Sequence, residues 1–279
     1  MNKIYDQLSF QCSKATTQLY STSFSMGISM LEKKYQEPIY NIYGFVRLAD
    51  EIVDNMHGHD KKILLNQLKI DYLEAIKNKI SLNPILNSFQ KTVNKYDIDL
   101  ALIEQFMISM EMDLDTKTTY TKEKYDYYIL GSAEVVGLMC LKVFVDGNEN
   151  QYKTLSTFAK KLGSAFQKIN FLRDLSSDFH ELGRTYFPNV DLNKFSDITK
   201  IQIELDIQTD FDASLEGIKL LPKGIRSGVL LAYYYYMDLL NSIRIKSAND
   251  ILKSRIRISN WRKLKLLIYC QIINKLNWI

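Results

Sequence analysis

The sequence predicts an all-α fold, and three observations carry that prediction. Apolar positions recur at the helical period of about 3.6 residues over long stretches. Alternating Val/Ile/Thr runs bounded by hairpin turns are missing. Gly 11 and Pro 4 are both low for 279 residues. No Pro/Gly/Ser-rich linker divides the chain, so residues 1–279 read as a single domain, long enough to bury a sizeable core.

Composition narrows the function classes. A net charge of +4 is mild and does not call for nucleic acid. Cys12, Cys140 and Cys270 are scattered, making neither a CxxC metal site nor a disulfide framework, which suits a reducing cytoplasm. The opening MNKIYDQLSFQC lacks a signal-peptide core. No apolar run approaches the ~20 residues of a membrane span.

Taken in order, residues 11–31 read as a first helix containing the hydroxyl cluster Ser21, Thr22 and Ser23. These are either caps and surface groups or donors to a diphosphate oxygen. Pro38 suits the start of a second helix, and His57-Gly58-His59-Asp60 ends it in a solvated loop. Residues 61–79, 85–95 and 100–112 follow as amphipathic helices, with turns near Asn83-Pro84 and Asp97.

Residues 120–145 are nearly all apolar, with Gly131, Ser132, Ala133 and Gly137 leaving gaps. A glycine inside a helix costs about 1 kcal/mol relative to alanine. The cost is tolerated where a neighbouring helix, or an apolar ligand, must come close. The longest candidate loop spans residues 183–200, and Tyr186 follows closely on Asp178. Helices over 201–221 and 225–245 come next, the second with four consecutive tyrosines, Tyr233 to Tyr236, which must point all round it. The last helix is basic and amphipathic; it admits weak contact with a membrane surface, although packing on the bundle is its expected role.

The chain is organised around residues 155–188. Gln167, Asn170, Asp174 and Asp178 fall at spacings of three, four and four, on one helical face beside Arg173. Burying two like charges is costly unless a cation accompanies them. Mg²⁺, with Mn²⁺ as a substitute, takes oxygen ligands and bridges carboxylates to a substrate's phosphates. Alone, such a pair reads as a solvated acidic face. A second copy changes the reading: Tyr43, Arg47, Asp50 and Asp54 again share a face. Two facing helices could hold Mg²⁺ between four aspartates, with arginines taking the remaining phosphate charge. A third pair, Asp206 and Asp210, has no Arg or Asn beside it and reads as surface.

With these motifs in hand, the chain resembles the squalene/phytoene synthase family of head-to-head prenyl diphosphate synthases. The resemblance rests on TSFSMGISML, YGFVRLADEIVDN, YYILGSAEVVGLMCLKVF, LGSAFQKINFLRDLSSDFHELGRTYFP and RIRISNWRKL, in that order over residues 21–264. It implies an isoprenoid synthase helical bundle around a central cavity. Asp50, Asp54, Asp174 and Asp178 would bind the metals, with Asn170 and Gln167 beside them. Arg47, Arg173, Ser21, Ser23 and Tyr43 would contact the diphosphates, and Tyr186 and Tyr236 would line their pocket. Tyr128 aligns with a tyrosine proposed in the family to assist proton handling. Where many members read Ala-Gly-x-Val-Gly, this chain has Ala133-Glu134-Val135-Val136-Gly137, which puts the local shape of the cavity wall in question.

The implied reaction ionises one allylic diphosphate, adds the double bond of a second, closes a cyclopropylcarbinyl diphosphate and rearranges it to a 1-1′ joined hydrocarbon. Two geranylgeranyl diphosphates giving phytoene is the first expectation. Squalene or dehydrosqualene synthesis from farnesyl diphosphate is the alternative, with NADPH needed only for squalene. A non-catalytic assembly or binding relative would be expected to have lost metal ligands, and here both aspartate pairs and both arginines are complete. The implied setting is cytoplasmic, with the inner face of the membrane as a second location.

Overall fold

The computed structural model describes residues 3–115, 120–180, 186–188, 190–191 and 194–276, with only the backbone course described at 177–180 and 275. Among them every regular element is a helix. The first expected helix is two: α1 (Lys3–Tyr20) and α2 (Thr22–Ser29). Ser21 breaks them apart in an extended conformation, and its hydroxyl accepts from the Phe24 amide at 3.2 Å as the N-cap of α2. α3 (Lys33–Asn55) begins before Pro38, which lies inside it rather than at its start. One intrahelical bond is forgone there.

The middle helices fall as the sequence predicts. α4 (Lys61–Asn78) is capped by Asp60, and α5 (Pro84–Tyr96) starts on a capped Asn83-Pro84. α6 (Leu100–Met112) follows Asp97, which ends α5 in the left-handed region at φ 49°. α7 (Lys122–Ile129), a wide π turn (Leu130–Glu134) and α8 (Val135–Phe144) make one continuous column. By length and composition the stretch Lys122–Phe144 would pass for a membrane span, contrary to expectation; half of its apolar window is buried inside the bundle.

The glycines of that column serve neighbouring helices. A Cβ at Gly131 would lie 2.0 Å from Ser109 Oγ and 2.4 Å from the Gln105 carbonyl on α6. One at Gly137 would lie 2.9 Å from the Ala159 carbonyl of the next helix, α9 (Glu149–His180). α10 (Asp197–Leu220) and α11 (Lys223–Arg244) complete the bundle around α9. A short α12 (Ala248–Lys253), closed by a capping box between Ser247 and Asp250, is an element the sequence reading lacks. α13 (Asn260–Leu276) packs on α11.

Two further features hold the helices in register. α1 meets α3 and α5 through buried small polar groups: Ser13 and Ser88 hydroxyls 2.7 Å apart, and Asn87 donating to Ser9 at 3.1 Å. Satisfied in pairs, they let the backbones approach without the penalty of an orphaned buried group. Between α9 and α10 lies a correction to the reading of Asp206 and Asp210. Asp210 is buried and accepts from Lys161, Lys168 and Ser164, each at 2.7 Å, while Asp206 pairs with Lys168 from the exposed side. The partners come from a helix distant in sequence, so adjacency in the chain could not show them. Burial alone would raise the Asp210 carboxyl; its lysine and serine donors hold it below the usual carboxylate range.

Candidate active site

α2, α3, α8, α9, α10 and α11 enclose a cavity of about 750 Å³. Its floor is apolar and its mouth polar because the helices run their sequences along its depth. α3 supplies Ile39 and Ile42 low down and Arg47, Asp50 and Asp54 at the mouth. α9 supplies Leu155 and Phe158 low down and Gln167, Asn170, Arg173 and Asp174 at the mouth. α8 contributes Leu141 and Phe144 to the floor. At the rise of an α-helix, the path from Leu155 to Asp174 covers about 28 Å.

On α3, Arg47 donates to Asp50 at 2.9 Å and to Glu51 at 2.6 Å, and its guanidinium stacks over the Tyr20 ring at 4.2 Å. Arg47 Nε is buried and has no hydrogen-bond partner among the described residues. Asp54 lines the same wall. The Asp50 side chain is 38% exposed, to the cavity. Its carboxyl is nevertheless pushed up to about 7, by burial first and by Asp54 second, against the pull of Arg47. That side of the mouth is short of positive charge.

On α9, Arg173 Nε donates to Asp174 at 3.0 Å, and Arg255 reaches across from the segment after α12 to the same carboxylate at 2.7 Å. Asn170 accepts from the Tyr236 hydroxyl at 3.3 Å and donates to Gln167 at 3.5 Å. Tyr236 stacks on Phe166 with ring centroids 4.1 Å apart, and burial pushes its hydroxyl up to about 12. Asp178 is in the helix, but its side chain lies outside the described residues.

Tyr128 and Tyr186 meet at a carboxylate the sequence reading passed over. Tyr128 donates to Asp113 Oδ2 at 2.7 Å and Tyr186 to Asp113 Oδ1 at 3.3 Å, all three buried and lining the cavity. The Tyr128 hydroxyl is held well above its usual range, by burial first and by the charge of Asp113 second. It is therefore a fixed phenol, not a phenolate. Phe171 stacks on Tyr186 at 4.2 Å and closes this corner.

Of the remaining expected residues, Tyr43 lines the cavity and contacts Ser21, so that Ser21 is both a helix cap and the neighbour of a lining tyrosine. Ser23 is half-buried beside it and does not line the cavity. Glu134 turns away from the cavity toward Lys160 and Lys161, so the departure at that position leaves the cavity wall to Ala133 and Val136. Asp113 lies outside the motifs, and Arg255 and Glu51 lie within them but carry no assigned role. Asp113 had one signal, a carboxylate at the end of the apolar helix α6. Arg255 opens the RIRISNWRKL stretch, but its pairing with Asp174, 81 residues away, had no signal in the sequence.

The donor set suits a hard cation. Among the described residues, no three His, Cys, Asp or Glu side chains gather closely enough to hold an ion unaided. Asp50 and Asp54 of α3 and Asp174 of α9 line one cavity, and on the α3 side the charges of Asp50 and Asp54 oppose one another. An ion that keeps waters and takes phosphate oxygens along with one or two carboxylates fits that arrangement.

Comparison with known proteins agrees with this architecture. A family model described as squalene/phytoene synthase matches residues 17–262. The chain is 24% identical to a 4,4'-diapophytoene synthase of Staphylococcus haemolyticus, covering 88% of this chain and 90% of that protein. It is 24% identical to a phytoene synthase of Arthrospira platensis, covering 95% and 93%. Among solved structures, a ligand-bound dehydrosqualene synthase superposes with a TM-score of 0.83 at 24% identity, covering 98% of this chain and 99% of that one. The squalene synthase HpnC of Alicyclobacillus acidocaldarius superposes at 0.73 and 20% identity, covering 86% and 95%. These structural likenesses establish the all-α isoprenoid synthase fold.

Proposed function

The chain belongs to the squalene/phytoene synthase family, and on that premise we propose that it condenses two geranylgeranyl diphosphates head to head to give phytoene. The observation that carries the proposal is the polarity of the cavity. Paired Arg/Asp clusters stand at its mouth, and an apolar floor lies beneath them. That is the shape of a molecule with a diphosphate head and a long hydrocarbon tail.

Arg47, Arg173 and Arg255 orient the two diphosphates, and Arg47 Nε has a free donor for one of them. Mg²⁺ held by Asp50, Asp54, Asp174 and Asp178 would supply the charge that lets diphosphate depart. Phe158, Phe166 and their apolar neighbours exclude the water that would quench a carbocation. Tyr43 and Tyr236 close the polar zone above the tails. The phenol of Tyr128, fixed by Asp113, presents its oxygen to the cavity where a proton must leave when the cyclopropane ring closes. Over the full reaction two diphosphates and two protons are released, one proton as the cyclopropane ring closes and one as the last cation forms the central double bond, and no redox change occurs on the path to phytoene.

Farnesyl diphosphate is the second reading, favoured by the bulk of Phe144, which lies at the floor against Tyr35 with ring centroids 6.3 Å apart. Incubation with each diphosphate, with and without NADPH, followed by mass spectrometry of the extracted hydrocarbon, separates the two. A C40 product formed without NADPH supports phytoene synthesis. Products from farnesyl diphosphate alone would assign the shorter reaction, and squalene formed only with NADPH would assign the reductive one.

A further inference from the structure

We propose that a second site, a basic groove on the face of α3 turned away from the cavity, binds a phosphorylated polyhydroxyl compound of the sugar phosphate class. The groove holds about 830 Å³ and lies between the starts of α1 and α3, the end of α4 and the length of α5. That volume is in the range of small-molecule sites. None of its lining residues is shared with the cavity. α3 is the partition: Ile39, Ile42 and Tyr43 face the cavity, whereas Lys34, Pro38 and Asn41 line the groove.

Charge identifies one half of the ligand. Five lysines line the groove against two carboxylates, Asp6 and Glu37. Asp6 is already engaged, by Lys91 at 3.2 Å and by Asn87 at 3.4 Å. Lys33, Lys34, Lys79 and Lys95 are exposed. Lys33 and Lys34 occupy the first turn of α3, where the helix dipole is itself positive and a carboxylate is the stabilising choice. Lys34 and Lys95 lie over the Tyr35 and Tyr96 rings at 4.6 and 4.7 Å, which limits the positions their ammonium groups take. Cations gathered at the positive end of a helix favour a phosphate.

Two acceptors identify the other half. Asn41 is 2% exposed, and its amide donates to Thr92 Oγ1 at 3.1 Å. The Thr92 hydroxyl donates in turn to the Ser88 carbonyl at 3.4 Å, so it has no proton to give back. Asn41 Oδ1 is left buried, with no hydrogen-bond partner among the described residues. A buried acceptor is ordinarily satisfied. Pro38 adds a second acceptor, because a residue without an N–H leaves the Lys34 carbonyl without its intrahelical donor. An inorganic anion meets the lysines alone, whereas a phosphate ester with free hydroxyls meets the lysines and both acceptors.

The test is isothermal titration calorimetry of the full chain at low salt with EDTA, using ribose 5-phosphate, glucose 6-phosphate and inorganic phosphate. Expected is saturable one-to-one binding of at least one sugar phosphate, at least tenfold tighter than inorganic phosphate. Lys34→Gln/Lys95→Gln and Asn41→Leu should each weaken it at least tenfold, whereas Arg47→Ala, at the mouth of the cavity, should leave it unchanged. The lysines are exposed and can be replaced without unfolding the chain, so that variant decides alone if Asn41→Leu lowers the melting temperature. No saturable binding of either sugar phosphate, equal affinity for inorganic phosphate, or unchanged binding in a folded groove variant would each overturn the inference. Loss of binding in Arg47→Ala would also overturn it, by moving the ligand to the cavity. No prenyl diphosphate or metal enters the assay, so failure of the condensation reaction and failure of groove binding are read separately.

Discussion

The Tyr128 hydroxyl donates a 2.7 Å hydrogen bond to the Asp113 carboxylate, and both side chains are buried on the wall of the cavity. A bond to a charged partner contributes about 1.5–3 kcal/mol. Asp113→Asn and Tyr128→Phe are therefore expected to lower kcat by roughly ten- to a hundredfold at little-changed KM. Steady-state kinetics with melting curves checks this. A loss seen only in KM would mean that the pair holds substrate in place and has no part in the chemical step.

Removal of the aspartates at the mouth is expected to be more severe. Asp50→Ala and Asp174→Ala should each reduce turnover at saturating Mg²⁺ to near background while the helical circular dichroism signal stays intact. Asp174 also faces two arginines, Arg173 and Arg255, so its loss leaves their charge uncompensated at the mouth. Near-normal activity in either variant would remove the reason for placing metal there.

Metal and diphosphate are expected to stabilise the protein together. The neighbouring carboxylates of Asp50 and Asp54 disfavour one another, and metal cations completed by phosphate oxygens would relieve this. Thermal shifts with Mg²⁺ alone, inorganic diphosphate alone and both should show a combined shift larger than the sum. A strictly additive result would place the two at separate sites.

Asp210 makes a prediction about pH that is independent of catalysis. Its folded-state pKa is lowered, so its stabilising contribution is present above the unfolded value near 3.8 and is lost as pH falls through the folded one. Relative to Asp210→Asn, the wild type should be more stable by about 3 kcal/mol near pH 7, the cost of leaving buried Lys168 with only the exposed Asp206 as its ion-pair partner. The advantage should shrink below pH 4. Denaturant unfolding of both proteins across pH 3–7 measures it. A gap that does not change with pH would mean that Asp210 acts by packing.

What the sequence made legible was whatever depends on near neighbours. The two DxxxD faces, the caps at Asp60 and Asn83 and the course of α9 all follow from local spacing and end chemistry. The hydroxyls at residues 21–23 had two open readings, and the extended backbone at Ser21 answers for the cap while its contact with Tyr43 brings it to the cavity edge. What stayed hidden were partners brought together by the fold. Asp113 joins tyrosines from two other segments, Asp210 is enclosed by α9, and Arg255 returns to α9 from the far end of the chain. Gly131 and Gly137 are likewise explained only by the helices pressed against them.

The stoichiometry of the reaction tests the central claim most directly. With geranylgeranyl diphosphate and Mg²⁺, released diphosphate and extracted hydrocarbon are quantified in the same incubation. The head-to-head account predicts two diphosphates per molecule of C40 hydrocarbon, with both signals lost together in Asp50→Ala. One diphosphate or two phosphates released per molecule of single-chain prenyl alcohol, with no doubled hydrocarbon, would contradict it.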